Sequence, residues 1–239
     1  MVMVDKNPSG LLKHFQNFKV PIEPKINNDS DLLGAIKFVS WLNDFTGTLK
    51  GENNGYVPCE DCVGCCTSSY FIHLKPTDKN SIKHIPNELM FPAPGLPKGN
   101  YLLGYNENGH CPMFKKGRCS IYEHRPETCR QYDCRVYPAT GIFPDDKNSP
   151  IYRKAKGWKF DISTSNDIKA FEAVQKASTF ITKYRELFPK TFFPSNAPQQ
   201  AVLAIRIHSE FMRFDSDENE KAVRALVDLI VMKYGDQGR

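Results

Sequence analysis

Long apolar runs are missing from this 239-residue chain. No stretch approaches the ~18 apolar residues that a membrane-spanning helix needs. The opening residues, Met-Val-Met-Val-Asp-Lys-Asn-Pro, lack the basic segment, apolar core and small-residue cleavage site of a secretory leader. These two absences set the expectation of a cytoplasmic protein with no membrane association. A Gly-rich strand–turn–helix fingerprint for a nucleotide is absent, as are a phosphate loop and a Ser-His-Asp set. There is no internal repeat and no low-complexity segment. The net charge of +5 is mild and its basic residues are scattered, so no nucleic-acid partner is evident. Cysteine is absent before residue 59 and after residue 134.

What is present follows from that last absence. All eight cysteines lie between Cys59 and Cys134. They form a first group, Cys59-x2-Cys62-x2-Cys65-Cys66, and a second, Cys111, Cys119, Cys129 and Cys134. In a reducing cytoplasm grouped thiols bind metal more often than they form disulfides. A disulfide framework is the competing reading, and it fits poorly with the missing leader and the adjacent Cys65-Cys66 pair. The chain does not need cross-links to reach a foldable size, since 40% of its residues are hydrophobic, with 16 Phe and 10 Tyr.

Thiolates are soft anionic ligands that suit zinc, copper(I) and iron–sulfur clusters. Two residues between cysteines let one loop turn aim both sulfurs at a single point. The doubled spacing over Cys59, Cys62 and Cys65 is like ferredoxin-type loops, where a fourth ligand arrives from elsewhere. Zinc sites more often pair one Cys-x2-Cys with a distant pair. The candidate cofactors are therefore an iron–sulfur cluster, with 4Fe-4S in front, or zinc. Cys59, Cys62, Cys65, Cys111, Cys119, Cys129 and Cys134 form the candidate ligand set. Adjacent side chains in an extended segment rarely reach one metal, so Cys66 is a ligand to a second metal, an alternate ligand or a free thiol. Eight thiols allow one centre or two.

The order Cys59-x2-Cys62-x2-Cys65-Cys66, Cys111-Pro-Met-Phe, Gly117-Arg-Cys119-Ser-Ile-Tyr122, Arg125-Pro126, Cys129-Arg130 and Cys134 resembles the YkgJ-type cysteine-cluster family. The resemblance covers roughly residues 55–137 and implies a zinc- or iron-chelating domain. Through the same cysteine block it extends to flagellin lysine N-methylases, which implies an alternative function as an enzyme modifying a protein side chain. A third reading is an adaptor whose surface for a protein partner is shaped by zinc.

Other residues near the cysteines invite functional and plain structural readings. His110 and His124 are candidate ligands or donors to a thiolate, or structural side chains. His73, in an apolar strand, reads as a hydrogen-bonded core residue. Arg118, Arg125 and Arg130 can offset the excess negative charge of a four-thiolate site; alternatively Arg125 braces its segment through Glu123 or Glu127. Glu60 and Asp61 read as solvated loop carboxylates.

The expected fold class is α+β: a cysteine-rich core with small β-hairpins, flanked by an N-terminal helix and a C-terminal helical bundle. The segments are 1–54, 55–137 and 138–239, read as one composite domain. Residues 1–28 read as irregular, with a short amphipathic turn at 11–18. Helical spacing predicts helices over 31–46, stopped by Gly47, and over 76–84, 166–188, 198–213 and 217–234, the last capped by Asp217 with Glu220. Strand character appears at 70–74 and 157–161, and a hairpin is expected from 101–105 and 110–114. A tight turn at 115–117 delivers Cys119, a helical turn covers 120–123, and Pro126 restarts a short helix carrying Cys129. Residues 86–99 and 138–157, rich in Pro and Gly, read as loops.

Overall fold

The computed structural model describes residues 35–53, 55, 57, 62–212 and 219–235. The expectations for residues 1–34, for Cys59, Glu60 and Asp61, and for Asp217 fall outside these. The architecture is α+β, with eight α-helices and three small sheets among the described residues.

Strand β1 (Ile36–Lys37) pairs in parallel with β7 (Phe160–Asp161), Ile36 facing Phe160. Helix α1 (Phe38–Lys50) follows directly. It starts later than the spacing suggested because Ile36 and Lys37 are held extended by that pairing. It also runs past Gly47 to Gly51, whose φ of 75° suits the left-handed stop. There Glu52 N donates to Gly47 O at 2.9 Å and Gly51 N to Thr48 O at 3.0 Å. Phe38, Trp41, Leu42 and Phe45 recur at i, i+3, i+4 and i+7 and are all buried. Each such burial stabilises by about 1.5–3 kcal/mol.

These residues open a first core shared with helices α4 (Val136–Thr140), α5 (Pro150–Lys156), α6 (Ser165–Lys183) and α7 (Ala197–Phe211). Helices α4 and α5 occupy the stretch expected to be loop. Pro150 stands at the first turn of α5 behind the Ser149 cap, where its missing N–H costs nothing, so proline there starts a helix. Helix α6 opens on a capping box: Thr164 Oγ1 accepts from Asp167 N at 3.1 Å, while Asp167 accepts from Thr164 N. It stops at Lys183, and Arg185–Leu187 tighten into a 3-10 turn. A second core lies between α6, α7 and α8 (Glu220–Tyr234). The cap of α8 is Asn219, whose Oδ1 accepts from Ala222 N at 2.8 Å.

The third core sits under a three-stranded antiparallel sheet ordered β2 (Ile72–Leu74), β4 (Tyr101–Leu103), β3 (Met90–Pro92). Leu103 faces Ile72 on one side and Met90 on the other. Strand β3 corrects the reading of 86–99 as loop: an edge strand tolerates Pro92 because one side of its backbone makes no ladder. The expected pairing of 101–105 with 110–114 does not form. The turn between them does, with Asn106 N donating to His110 O at 2.8 Å, but β4 spends its ladder on β2 and β3. A short helix, α2 (Lys79–Lys83), follows β2 behind the buried Asp78. The 115–117 turn joins β5 (Phe114–Lys115) to β6 (Arg118–Cys119), with φ of 51° at Lys116 and 79° at Gly117, as a two-residue hairpin turn requires. The chain then passes a 3-10 turn (Tyr122–His124) and Pro126 into α3 (Glu127–Gln131).

Candidate metal centre

Three short elements carry the thiols toward one place. The Cys65–Thr67 stretch is a single 3-10 turn. It is zipped to the Cys111 segment by Cys111 N donating to Cys66 O at 2.8 Å and Ser69 N donating to Gly109 O at 2.9 Å. The β5–β6 hairpin brings Cys119 beside them, with Ser120 N on Met113 O at 2.8 Å. Helix α3 presents Cys129 and is tied to β2 by Thr128 Oγ1 donating to His73 O at 2.7 Å. Its first N–H, on Glu127, donates to buried Asp78 at 2.8 Å.

The thiols of Cys65, Cys111, Cys119 and Cys129 stand close enough that each raises the cost of ionising another, and every pair among the four is represented. The Cys65 thiol is pushed up first by its hydrogen bond with Cys66 and then by burial. Burial is the leading cause for Cys111, Cys119 and Cys129. Four thiols in this state stay protonated unless a cation joins them. The Arg125 guanidinium already pulls Cys119 and Cys129 the other way. A bound metal does so far more strongly, by deprotonating the thiols that it ligates. Among the described residues no three His, Cys, Asp or Glu side chains are placed tightly enough to hold one ion as they stand.

The remaining cysteines divide. Cys66 hydrogen-bonds Cys65 and packs against the third core with Cys119, while Cys111 lies inside that core. Cys62 Sγ accepts from Gly64 N at 3.4 Å. Cys134 is buried in the first core, where Trp158 Nε1 donates to its sulfur at 3.1 Å. All seven described cysteines are free of disulfides. Cys59 lies outside the described residues.

His124 is held by Asn80 at 3.1 Å and stacks on His84, ring centres 3.8 Å apart. His110 packs edge-on against Phe114. Neither contact involves a thiol. His73 bonds Asn100 at 2.9 Å, as a structural residue would. The bracing of Arg125 by Glu123 or Glu127 does not occur: Glu127 takes Lys75 at 2.8 Å and Gln131 at 2.7 Å. Arg125 instead lies 3.5 Å over the Tyr122 ring, and its carbonyl accepts from the Arg130 guanidinium. Arg118 is exposed on the hairpin.

Several supporting residues carry no sequence signal. Asp133 and Arg135 form a buried ion pair at 2.7 Å on either side of Cys134, and Trp41 Nε1 donates to Asp133 at 2.9 Å. Tyr70, Tyr132 and Tyr137 share a buried hydroxyl network, Tyr132 to Tyr137 at 2.8 Å. Trp158 reaches Cys134 across 24 residues, and no local spacing marks that approach.

The described thiols thus sit on short turns that are stitched to a helical scaffold. Residues 58–156 are similar to the family model described as "CxxCxxCC: Putative zinc- or iron-chelating domain". The match runs beyond Cys134 through α5. The fold gives the reason, since Ile151 N at the start of α5 donates to Ser68 Oγ at 3.3 Å, beside the Cys65–Thr67 turn. No curated protein and no solved structure matches the chain.

Proposed function

We propose that the protein is a cytoplasmic metalloprotein whose centre is held by Cys65, Cys111, Cys119 and Cys129. The single observation that supports this is the mutual proximity of those four thiols, drawn from three separate elements. The donor set fits the group: four soft ligands suit zinc or a 4Fe-4S cluster and suit magnesium or calcium poorly. Cys59, Cys62, Cys66 and Cys134 then remain for a second centre or as alternate ligands. Zinc would make the role structural; an iron–sulfur cluster would add electron transfer.

The test is anaerobic purification followed by absorption spectroscopy and elemental analysis of one sample, for the wild type and for single Cys→Ser variants. Cys65→Ser, Cys111→Ser, Cys119→Ser and Cys129→Ser each lose most of the bound metal. Cys134→Ser keeps it at the four-thiol site. Unchanged metal in all four variants overturns the assignment. Brown protein with iron and sulfide selects the cluster; colourless protein with zinc selects the structural site.

A further inference from the structure

The Arg125 side chain presents an unusual combination. Its Nε is buried and makes no hydrogen bond within the protein. A buried N–H of a charged group without an acceptor carries a full desolvation cost, so such atoms are uncommon in folded chains. The remainder of the side chain is fixed. The guanidinium carbon lies 3.5 Å from the Tyr122 ring centre, which pins the plane of the fork. The backbone on either side is set by the Tyr122–His124 turn and by Pro126, which is fully buried. Arg130 caps the Arg125 carbonyl, so the main chain is held as well. The carboxylates next to it in sequence are engaged elsewhere or exposed: Glu127 is taken by Lys75 and Gln131, and Glu123 is exposed. The groups that this cation does act on are the thiols of Cys119 and Cys129.

We infer that Arg125 is a positioning residue of the metal centre, whose Nε–H donates to a ligand sulfur of Cys119 or Cys129 once that sulfur is a metal-bound thiolate. The inference rests on the four-thiol reading above and goes beyond it by giving the site a fixed electrostatic partner. A neutral thiol is a weak acceptor, which leaves the Nε–H without a bond; a metal-bound thiolate is an anionic acceptor and supplies one. Four thiolates around one zinc, or around an oxidised four-iron cluster, leave two excess negative charges. A planar fork pinned on an aromatic ring offsets part of that charge and orients the sulfur. The same bond lowers the energy of the sulfur lone pair. It therefore shifts the sulfur-to-metal charge-transfer band and slows loss of the metal, typically by 10–100-fold for such outer partners.

Cobalt(II) is the probe, because it occupies thiolate sites and reports them by colour. The full-length wild type, Arg125→Gln and Arg125→Lys are loaded anaerobically with cobalt(II) and titrated with a chelator. Circular dichroism of each metal-free protein checks the fold. The expected result is an intense charge-transfer band in the wild type. In Arg125→Gln that band moves to lower energy and cobalt is held at least ~10-fold more weakly. Arg125→Lys keeps the charge but not the planar Nε–H, so it recovers part of the retention with a band still displaced. A band and a retention unchanged in both variants overturn the inference while leaving the metal site standing. If Arg125→Gln does not fold, the band position in Arg125→Lys decides alone, and an undisplaced band overturns the proposal. A wild type that shows no charge-transfer band removes the metal-site reading itself, and this inference falls with it.

Discussion

At the scale of single residues, buried polar groups next to Cys134 depend on a few hydrogen bonds. Trp41 Nε1 and the Arg135 fork satisfy the Asp133 carboxylate in the first core. Replacing Trp41 with Phe preserves most of the packing and removes one donor from a buried anion. The expected cost is about 1.5–3 kcal/mol, the range for hydrogen bonds to charged groups, read from urea denaturation. A loss below ~0.5 kcal/mol would show that Arg135 alone satisfies Asp133. The Trp158–Cys134 contact joins a neutral pair, so Trp158→Phe should cost less, about 1 kcal/mol.

Gly109 belongs to this scale too. Its φ is +73°, and a Cβ there would stand 2.4 Å from Ser69 Oγ. The Ser69 hydroxyl can rotate away, so the backbone conformation carries most of the cost, about 1–2 kcal/mol. Gly109 O accepts from Ser69 N, within the zip that sets Cys65 beside Cys111. Gly109→Ala is therefore expected to weaken metal retention as well as stability. Equal metal retention in this variant and the wild type would show that the zip does not control the approach of the two thiols.

At the scale of elements, the apolar contact between α7 and α8 is flanked by an ion pair. Glu210 bonds Lys233 at 2.6 Å and Tyr234 at 2.7 Å. The Lys233 ammonium holds the Glu210 carboxyl below its ordinary value of 4.5, and burial opposes it only in part. A carboxyl whose folded value is depressed contributes stability above its unfolded value, and that stability is lost as pH falls through the folded value. Lys233 is raised by the same bond, so its contribution is present below 10.5 and lost above its raised value. Glu210→Gln should flatten the fall in melting temperature below pH 4.5. Parallel acid profiles for variant and wild type would assign the acid sensitivity to other groups.

Asp167 behaves alike at the start of α6. Burial alone would raise it, but the Thr164 hydroxyl and the Val39 N–H, the latter at 3.0 Å, hold it below its ordinary value. It caps α6 and anchors the first turn of α1 at once, which ties these two of the helices in the first core at their N-terminal ends.

At the scale of the molecule, the three cores divide the labour. The first and second cores are built on α1 and α4–α8 and contain the long helices. The third core, under the small sheet, contains Cys111 and packs against Cys66 and Cys119. Removing metal should therefore spare most of the helical signal and loosen the sheet region. Limited proteolysis with and without chelator is expected to cut within 62–134 in the metal-free protein and to leave 136–211 intact. Simultaneous loss of both regions would show that the metal supports the whole fold. No described helix is long and apolar enough to cross a membrane.

The chain alone determined the features that depend on short-range pattern. Confinement of cysteine to one window pointed to soft-metal chemistry, because soft ligands grouped at two-residue spacing need no knowledge of distant contacts. Apolar spacing marked α1 and α6–α8, since a helix face repeats within one turn. The Lys115–Gly117 turn and the Pro126 restart were legible for the same reason. The tertiary structure decided which thiols meet: Cys65 joins Cys111, Cys119 and Cys129 because backbone bonds zip residues 66–69 to 109–111. It also set Trp158 on Cys134, withdrew β4 from its expected hairpin, and shortened α1 by pairing β1 with β7. Each of these joins residues 24 or more positions apart or makes two partners compete for one ladder. Such choices rest on the total burial and hydrogen bonding of the closed chain, which no local spacing records.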